Sequence, residues 1–335
     1  MVKRTRLGDI NGIDDNKIQT FLGIRYGEPP INERRFKASV ASGGWKNTFE
    51  ATSFPNRAMQ LKLLDADGRK IPGKVSEDCL FMNIYTPKNI SKLAPVLVWM
   101  HGGAFKNGSA NEFDGSVLAE QQQVVVVTLN FRLGAFGFVD FSRFGAEYAG
   151  SASNGVRDAI LALQWIQDNI EEYSGDPSNV TISGESSGGT MVLSLLGCPS
   201  ADSLYQKAIA CSPTCAYRDL EDPTNKIRLA LNINTDDYLT PMLKMSSLDI
   251  CNIELGFGPH VDGEVIKEST FQAIKSRGVN GVPLLIGSNS REGTLYTEGK
   301  DQDQPHYKLW NSGLAREMLC GGNPDPYLAA LKAKY

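Results

Sequence analysis

The sequence predicts an α/β protein built on a mostly parallel central sheet, and three observations carry that expectation. Short runs rich in Val, Ile and Leu alternate with helical patterns along the chain. Two of these runs, 95–100 and 124–129, are apolar on both faces, as strands covered by helices are. A third run, 179–183, passes through a glycine-bounded turn directly into a helical pattern, the strand–turn–helix unit of such sheets.

In chain order, residues 19–26 read as a β-rich run and 80–85 as a strand. Residues 95–100 and 124–129 are the two buried strands, and 116–123 between them supplies a short crossover helix. Asn154 is suited to cap a longer helix in which Val156, Ile160, Leu163, Ile166, Ile170 and Tyr173 recur at spacings of three and four, giving one apolar face for the sheet. Residues 175–178, Gly-Asp-Pro-Ser, read as a break before the strand at 179–183, which ends at Gly184. A helix then runs from Ser187 to about residue 196, where Gly197 and Pro199 stop it. Two further short strands are expected at 207–211 and 283–286. The stretch 217–254 is polar with weak periodicity, so it reads as a surface excursion or cap and not as sheet. With no internal repeat or linker, one domain over residues 1–335 is the expectation.

Composition excludes several classes of function. Of 335 residues, 41% are apolar and 21% charged, which supports a large buried core. The 34 Lys and Arg against 38 Asp and Glu leave a net charge of −4 without a dense basic run, so a nucleic-acid partner is not expected. The longest clean apolar run, 124–129, is far short of the roughly 18 residues of a membrane span. The N-terminus is charged but has no apolar region or small-residue cleavage site, and no export signal is read there. Six cysteines, at Cys79, Cys198, Cys211, Cys215, Cys251 and Cys320, are too sparse for a disulfide framework, and a cytoplasmic location is the expectation. Cys211 and Cys215 stand four apart, but none of the three histidines is near them in sequence, so buried structural thiols and no metal site are expected.

Two segments carry chemistry. Gly184-Glu185-Ser186-Ser187-Gly188 matches G-x-S-x-G, a turn in which flanking glycines permit a strained backbone and close strand–helix packing, so that the Ser186 hydroxyl projects from the sheet. Chains rich in glycine and serine contain this pattern by accident. The strand before it and the helix after it are what the elbow requires, and they mark Ser186 as the candidate nucleophile. His101-Gly102-Gly103-Ala104-Phe105 follows the strand at 95–100, and its small residues let backbone N–H groups approach a developing alkoxide. Gly103 and Ala104 are the expected oxyanion donors. The Ser187 amide joins them from the start of the elbow helix, whose dipole has the right sign. His101 is expected to brace the loop.

With these residues in view, the chain resembles the type-B carboxylesterases, a family of the α/β-hydrolase fold that includes cholinesterases and para-nitrobenzyl-type bacterial esterases. Residues 21–30, 76–85, the His101 loop, 130–138, 162–170 and the Ser186 elbow are similar to its signatures in their order, and the similarity resumes at 261–264 and 282–293. The resemblance implies hydrolysis of small carboxylic esters through an acyl-enzyme, without a cofactor. It places the triad acid, which orients a histidine, on Glu292. It also implies a structural ion pair between Arg35 and Glu77.

The pattern departs from the family in two places. The family's general-base histidine lies in a Gly-rich loop well beyond the acid, whereas this sequence offers only His101, His260 and His306, none in that context. His306 follows Glu292 by 14 positions in a polar stretch and reads as exposed and uninvolved. Losing the base of such a triad costs about 10⁶ in kcat, so residues 1–335 alone are expected to be weak or inactive and, lacking the family's C-terminal part, unstable or prone to association. From 55 to 79 there is no Phe, Tyr or Trp to hold a quaternary ammonium, so choline esters are not expected. In secreted relatives a cysteine pairs with the position of Cys79; here that partner is missing. The rival readings are a non-catalytic recognition relative of the same fold, which would lose the serine, and a hormone-sensitive-lipase-like enzyme, whose histidine would follow the acid by a few tens of residues.

Overall fold

In the computed structural model the described residues are 2–65, 67–88, 90–214, 222–253, 255–277, 281–290 and 292. His306, Cys215 and Cys320 lie outside them. The chain falls into two units, Met1–Ile286 and Gly287–Tyr335. The strands are β1 (Val2–Thr5), β2 (Gly8–Asp14), β3 (Ile18–Arg25), β4 (Phe49–Ala51), β5 (Arg57–Ala58), β6 (Val75–Ser76), β7 (Phe81–Pro87), β8 (Ala94–Met100), β9 (Val125–Leu129), β10 (Gly175–Glu185), β11 (Lys207–Cys211) and β12 (Leu284–Gly287). Ten of them form one sheet in the order β1-β2-β3-β7-β9-β8-β10-β11-β12, with β4 beside β2. From β9 to β11 the pairs are parallel, and β3–β7 and β7–β9 are antiparallel. This is the layout that the α/β-hydrolase resemblance implies.

Parallel strands need crossovers, and the helices α1 (Ser116–Gln122), α3 (Asn154–Asn169) and α4 (Ser187–Leu196) supply them, with the short α2 (Gly134–Phe138) ahead of α3. Every residue of β9 is buried, as its unbroken apolar run requires. On β8 only one face is fully buried, through Val96, Val98 and Met100, while Trp99 is partly covered by Phe113 at 5.1 Å between ring centres. The periodic face of α3 is buried at Val156, Ile160, Leu163 and Ile166. Its start differs from expectation by one residue. Ser153 occupies the cap position and Asn154 is the first helical residue, its side-chain Nδ2 donating to the Phe36 carbonyl at 2.7 Å. The exit of β9 is tied to α3 by Arg132, whose Nε and Nη2 each donate to the buried Asp158 carboxylate at 2.8 Å.

Two further differences have physical causes. The Gly-Asp-Pro-Ser segment does not break the chain before the strand; β10 starts at Gly175 and runs through it with a register irregularity between Gly175 and Val180, and the Asp176 carboxylate caps the Ser178 amide at 2.9 Å. Pro177 has no N–H to give the ladder, and the Asp176 carboxylate supplies the next amide, that of Ser178, with a local acceptor. The excursion at 217–254 carries no strand among its described residues, but it is not merely surface. It folds into α5 (Thr224–Leu231), α6 (Leu239–Lys244) and α7 (Ser247–Cys251), and Ile227, Tyr238, Met242 and Ile250 bury against Phe36, Phe136 and Phe141 in a core of their own. Short helices with two or three apolar anchors each give a weak period in sequence.

The Arg35–Glu77 pair holds this second core in place. Arg35 Nε donates to Glu77 Oε2 at 2.8 Å and Nη2 to Oε1. Its Nη1 donates to the carbonyls of Met242, Leu243 and Met245 at 3.2, 3.1 and 3.0 Å, satisfying the end of α6, while the Ser247 hydroxyl donates to Glu77 at the start of α7.

Candidate active site

Register brings the two sequence signatures together. Met100 at the end of β8 is paired with Gly184 of β10, so the chain leaves the sheet at the same level into the His101 loop and into the Ser186 turn. Sites of parallel α/β sheets form at this carboxyl edge. A Cβ on Gly102 would stand 3.0 Å from the Glu185 carbonyl and 3.4 Å from Ser186 Cβ, so the loop rests on the elbow.

Ser186 sits between β10 and α4 at φ 56 and ψ −122, a sparsely populated conformation worth about 1–3 kcal/mol of strain. Four bonds hold it. Its N–H donates to the Cys211 carbonyl at 2.9 Å, and its carbonyl accepts from the Thr190 N–H at 2.9 Å and the Thr190 hydroxyl at 3.2 Å. Thr190 Oγ1 in turn accepts from the Thr214 N–H at 2.9 Å. The flanking glycines are there for space: a Cβ on Gly184 would meet the Gly188 carbonyl carbon at 2.4 Å, and one on Gly188 would meet the Met100 oxygen at 2.0 Å. Ser186 is half-buried, and its hydroxyl bonds to no described residue. Ser187 begins α4, where helix geometry leaves the amide without an intrahelical partner.

The loop after β8 is unusual in its backbone. Gly103, Ala104 and Phe105 have φ of 111, 56 and 56 in succession. Gly103 and Ala104 are exposed, and the Gly103 carbonyl turns away to accept the amides of Lys106 and Asn107 at 3.1 and 3.0 Å. Among the described residues, nothing accepts the amides of Gly103 and Ala104.

His101 is built into this loop. Its ring stacks on Phe131 at 4.5 Å and 4°, and Nδ1–H donates to the Gly102 carbonyl at 2.9 Å. Burial holds it neutral, its pKa pushed down to about 4 from 6.5, although the Gly102 bond works in the opposite direction. A ring so enclosed braces the loop and takes no proton near neutrality. His260 is half-buried, with Nδ1–H donating to the Gly258 carbonyl at 2.8 Å. Glu292 belongs to the unit Gly287–Tyr335, where its Oε1 accepts the Asn289 amide at 2.7 Å.

Beside the loop, Lys106 and Asn107 line a pocket of about 170 Å³ whose other walls include Met59, Leu133, Phe136, Ile253 and Phe257. No cluster of His, Cys, Asp and Glu able to hold a metal ion is present among the described residues, and none of their helices is long and apolar enough to cross a membrane. One residue has no sequence signal at all. Gln60, 2% exposed, takes hold of Gly108 at the far end of the loop from 48 positions away.

Residues 1–317 match the model of the carboxylesterase family. The chain is 36% identical over 313 residues to the para-nitrobenzyl esterase of Bacillus subtilis, covering 87% of this chain and 63% of that protein. It is also 36% identical over 318 residues to human carboxylesterase 5A, covering 87% of this chain and 54% of the relative. The chain thus spans between about half and two thirds of the length of these curated relatives. Among solved structures, a thermophilic PNB esterase superposes with a TM-score of 0.87 at 33% identity, covering 99% of this chain and 71% of the other. The Geobacillus stearothermophilus carboxylesterase does so with 0.80 at 33%, covering 88% and 63%.

Proposed function

The chain belongs to the carboxylesterase family, and from that premise we propose that it is a serine hydrolase of small carboxylic esters whose nucleophile is Ser186. The observation that supports this most is the meeting of a strained, half-exposed serine with a loop whose amides at Gly103 and Ala104 donate to no described residue. Ser186 Oγ attacks the acyl carbon and gives its proton to a base. The alkoxide that forms is held by the amides of Gly103, Ala104 and Ser187, and its collapse expels the alcohol and leaves an acyl-serine for water to hydrolyse. Each donor of this kind is worth about 10²–10³ in kcat.

Glu292 is the acid of this reading and would orient the imidazole that serves as base. His101 is enclosed and neutral, His260 gives its Nδ1–H to the Gly258 carbonyl and not to a carboxylate, and His306 lies outside the described residues. Residues 1–335 alone are therefore proposed to acylate slowly and to turn over little. They count as part of one hydrolase domain, and a cytoplasmic location fits the free thiols of Cys79, Cys211 and Cys251.

Prolonged treatment with a fluorophosphonate, followed by peptide mass spectrometry, tests the nucleophile. An adduct on Ser186 that disappears in Ser186→Ala is expected, with slow hydrolysis of p-nitrophenyl esters. Absence of the adduct, or equal labelling of Ser186→Ala at another residue, refutes it.

A further inference from the structure

We propose that Gln60 is a positioning residue for the oxyanion loop: its carboxamide clamps Gly108 and thereby sets the direction of the Gly103 and Ala104 amides. The inference rests on the hydrolase reading above and adds a residue to it that lies in a different part of the chain.

The clamp has two points. Gln60 Nε2 donates to the Gly108 carbonyl at 2.8 Å, and the Gly108 amide donates to Gln60 Oε1 at 3.0 Å. The second Nε2 proton goes to the Ala58 carbonyl at 3.1 Å, so both protons of the buried amide are used and its orientation is fixed. The Gln60 side chain pairs with both backbone groups of one residue, as a neighbouring strand would.

Gly108 transmits that restraint. At φ 104 it packs so closely that a Cβ would lie 2.2 Å from the Gly102 carbonyl oxygen and 2.4 Å from His101 Nδ1. Those two atoms are bonded to each other at 2.9 Å. On the other side, Gly103 packs against the Asn107 carbonyl, where a Cβ would meet the oxygen at 2.3 Å and the Gly108 nitrogen at 3.2 Å. A shift of Gly108 therefore reaches Gly102 and Gly103 with no flexible side chain between to absorb it. Ser109 and Ala110 just beyond are pinned to Asn130 Oδ1 at 3.1 and 2.8 Å, so the loop is held from both sides.

Preorganised donors lose their effect steeply with displacement, and about 1 Å costs about 10² in rate. Gln60→Met, which keeps the length and loses every bond, should slow fluorophosphonate labelling of Ser186 by at least about tenfold relative to the unmodified chain. Thr86→Val is the control, since it removes a buried bond to the Tyr173 carbonyl at 3.1 Å on a strand end away from the site. It should lower stability comparably and label at the unmodified rate. In Gln60→Glu the protonated carboxyl can replace the amide, one oxygen accepting and one donating, so its labelling rate relative to the unmodified chain should rise as pH falls. That second variant decides the matter if Gln60→Met does not fold.

Amide hydrogen exchange over residues 101–110, which needs no reactive serine, is the independent readout. It should speed up in Gln60→Met and remain unchanged in Thr86→Val. Folded Gln60→Met with unmodified exchange over 101–110 overturns the clamp, as does unmodified labelling where the parent chain labels. A parent chain that does not label at Ser186 overturns the hydrolase reading instead, and exchange then decides the clamp alone.

Discussion

Replacing Gly188 by alanine separates the contribution of elbow packing from that of the serine itself. Gly188 is the second residue of α4, and a Cβ there would lie 2.0 Å from the Met100 oxygen, 2.8 Å from its carbonyl carbon and 2.9 Å from the His101 oxygen. Ordinary contact begins at 3.4 Å, so roughly 1.4 Å must be found between helix and strand. All three obstacles are backbone. Met100 is fully buried at the end of β8 and paired on both sides, with Leu129 and Gly184, so the strand cannot yield and the helix start must. Overpacking of this kind costs about 1–3 kcal/mol. Ser186 and Ser187 lead directly into Gly188, so the displacement passes to the nucleophile and to one oxyanion donor, and about 1 Å is worth about 10² in rate. Gly188→Ala is therefore expected to lower the urea midpoint by the equivalent of about 1–3 kcal/mol and to slow fluorophosphonate labelling of Ser186 by about a hundredfold. Gly256→Ala, at a glycine where a new Cβ meets no atom of the other described residues within 4 Å, should change neither. A Gly188→Ala chain with the parent's midpoint and labelling rate would refute the steric reasoning.

The loop beside the elbow gives two substitutions of opposite sign. Ala104→Gly relieves a left-handed residue and should raise the urea midpoint by the equivalent of up to about 1 kcal/mol, whereas Gly103→Ala forces a Cβ to 2.3 Å from the Asn107 oxygen and should lower it. Arg35→Leu leaves the Glu77 side chain, 7% exposed, without its counter-charge and should cost about 3–5 kcal/mol. Adding Glu77→Gln should recover part of the loss, measured as a double-mutant cycle in urea. Acid should weaken the fold through His101. Its native pKa is about 4 against 6.5 for a free histidine, so below pH 6.5 the unfolded chain binds a proton that the native chain refuses. Stability contributed by the neutral ring is intact above pH 6.5 and falls at up to about 1.4 kcal/mol per pH unit down to about pH 4. His101→Phe should flatten that slope in urea titrations at pH 7 and pH 5.

Most of the sheet and both halves of the candidate site were legible because their signals are local. The helix at Ser187–Leu196 is bounded in sequence by the elbow glycines and by Gly197 and Pro199, and the structure has those bounds. The strand at 125–129 is buried along its whole Val-rich run, while the one at 207–211 buries Ala208 and Ala210 between an exposed Lys207 and Cys211. The helices at 224–251 were harder to read, because each is five to eight residues long and its period is set by a few anchors such as Ile227 and Met242. The cap of α3 lies one residue earlier, at Ser153, and the Asn154 side chain instead donates to the Phe36 carbonyl across the fold.

The sequence by itself determined the class of sheet, the place of the Ser186 elbow and the family, since side-chain period, glycine positions and turn residues act on a few neighbouring peptides and need no knowledge of the rest of the chain. Only the tertiary structure decided that Gly102 rests on Ser186, that Arg35 closes the end of α6, and that the Gln60 amide meets Gly108. A buried amide pairs with whichever peptide the folded chain places at 2.8 Å, and across 48 residues that choice belongs to the packing of the whole sheet and its loops.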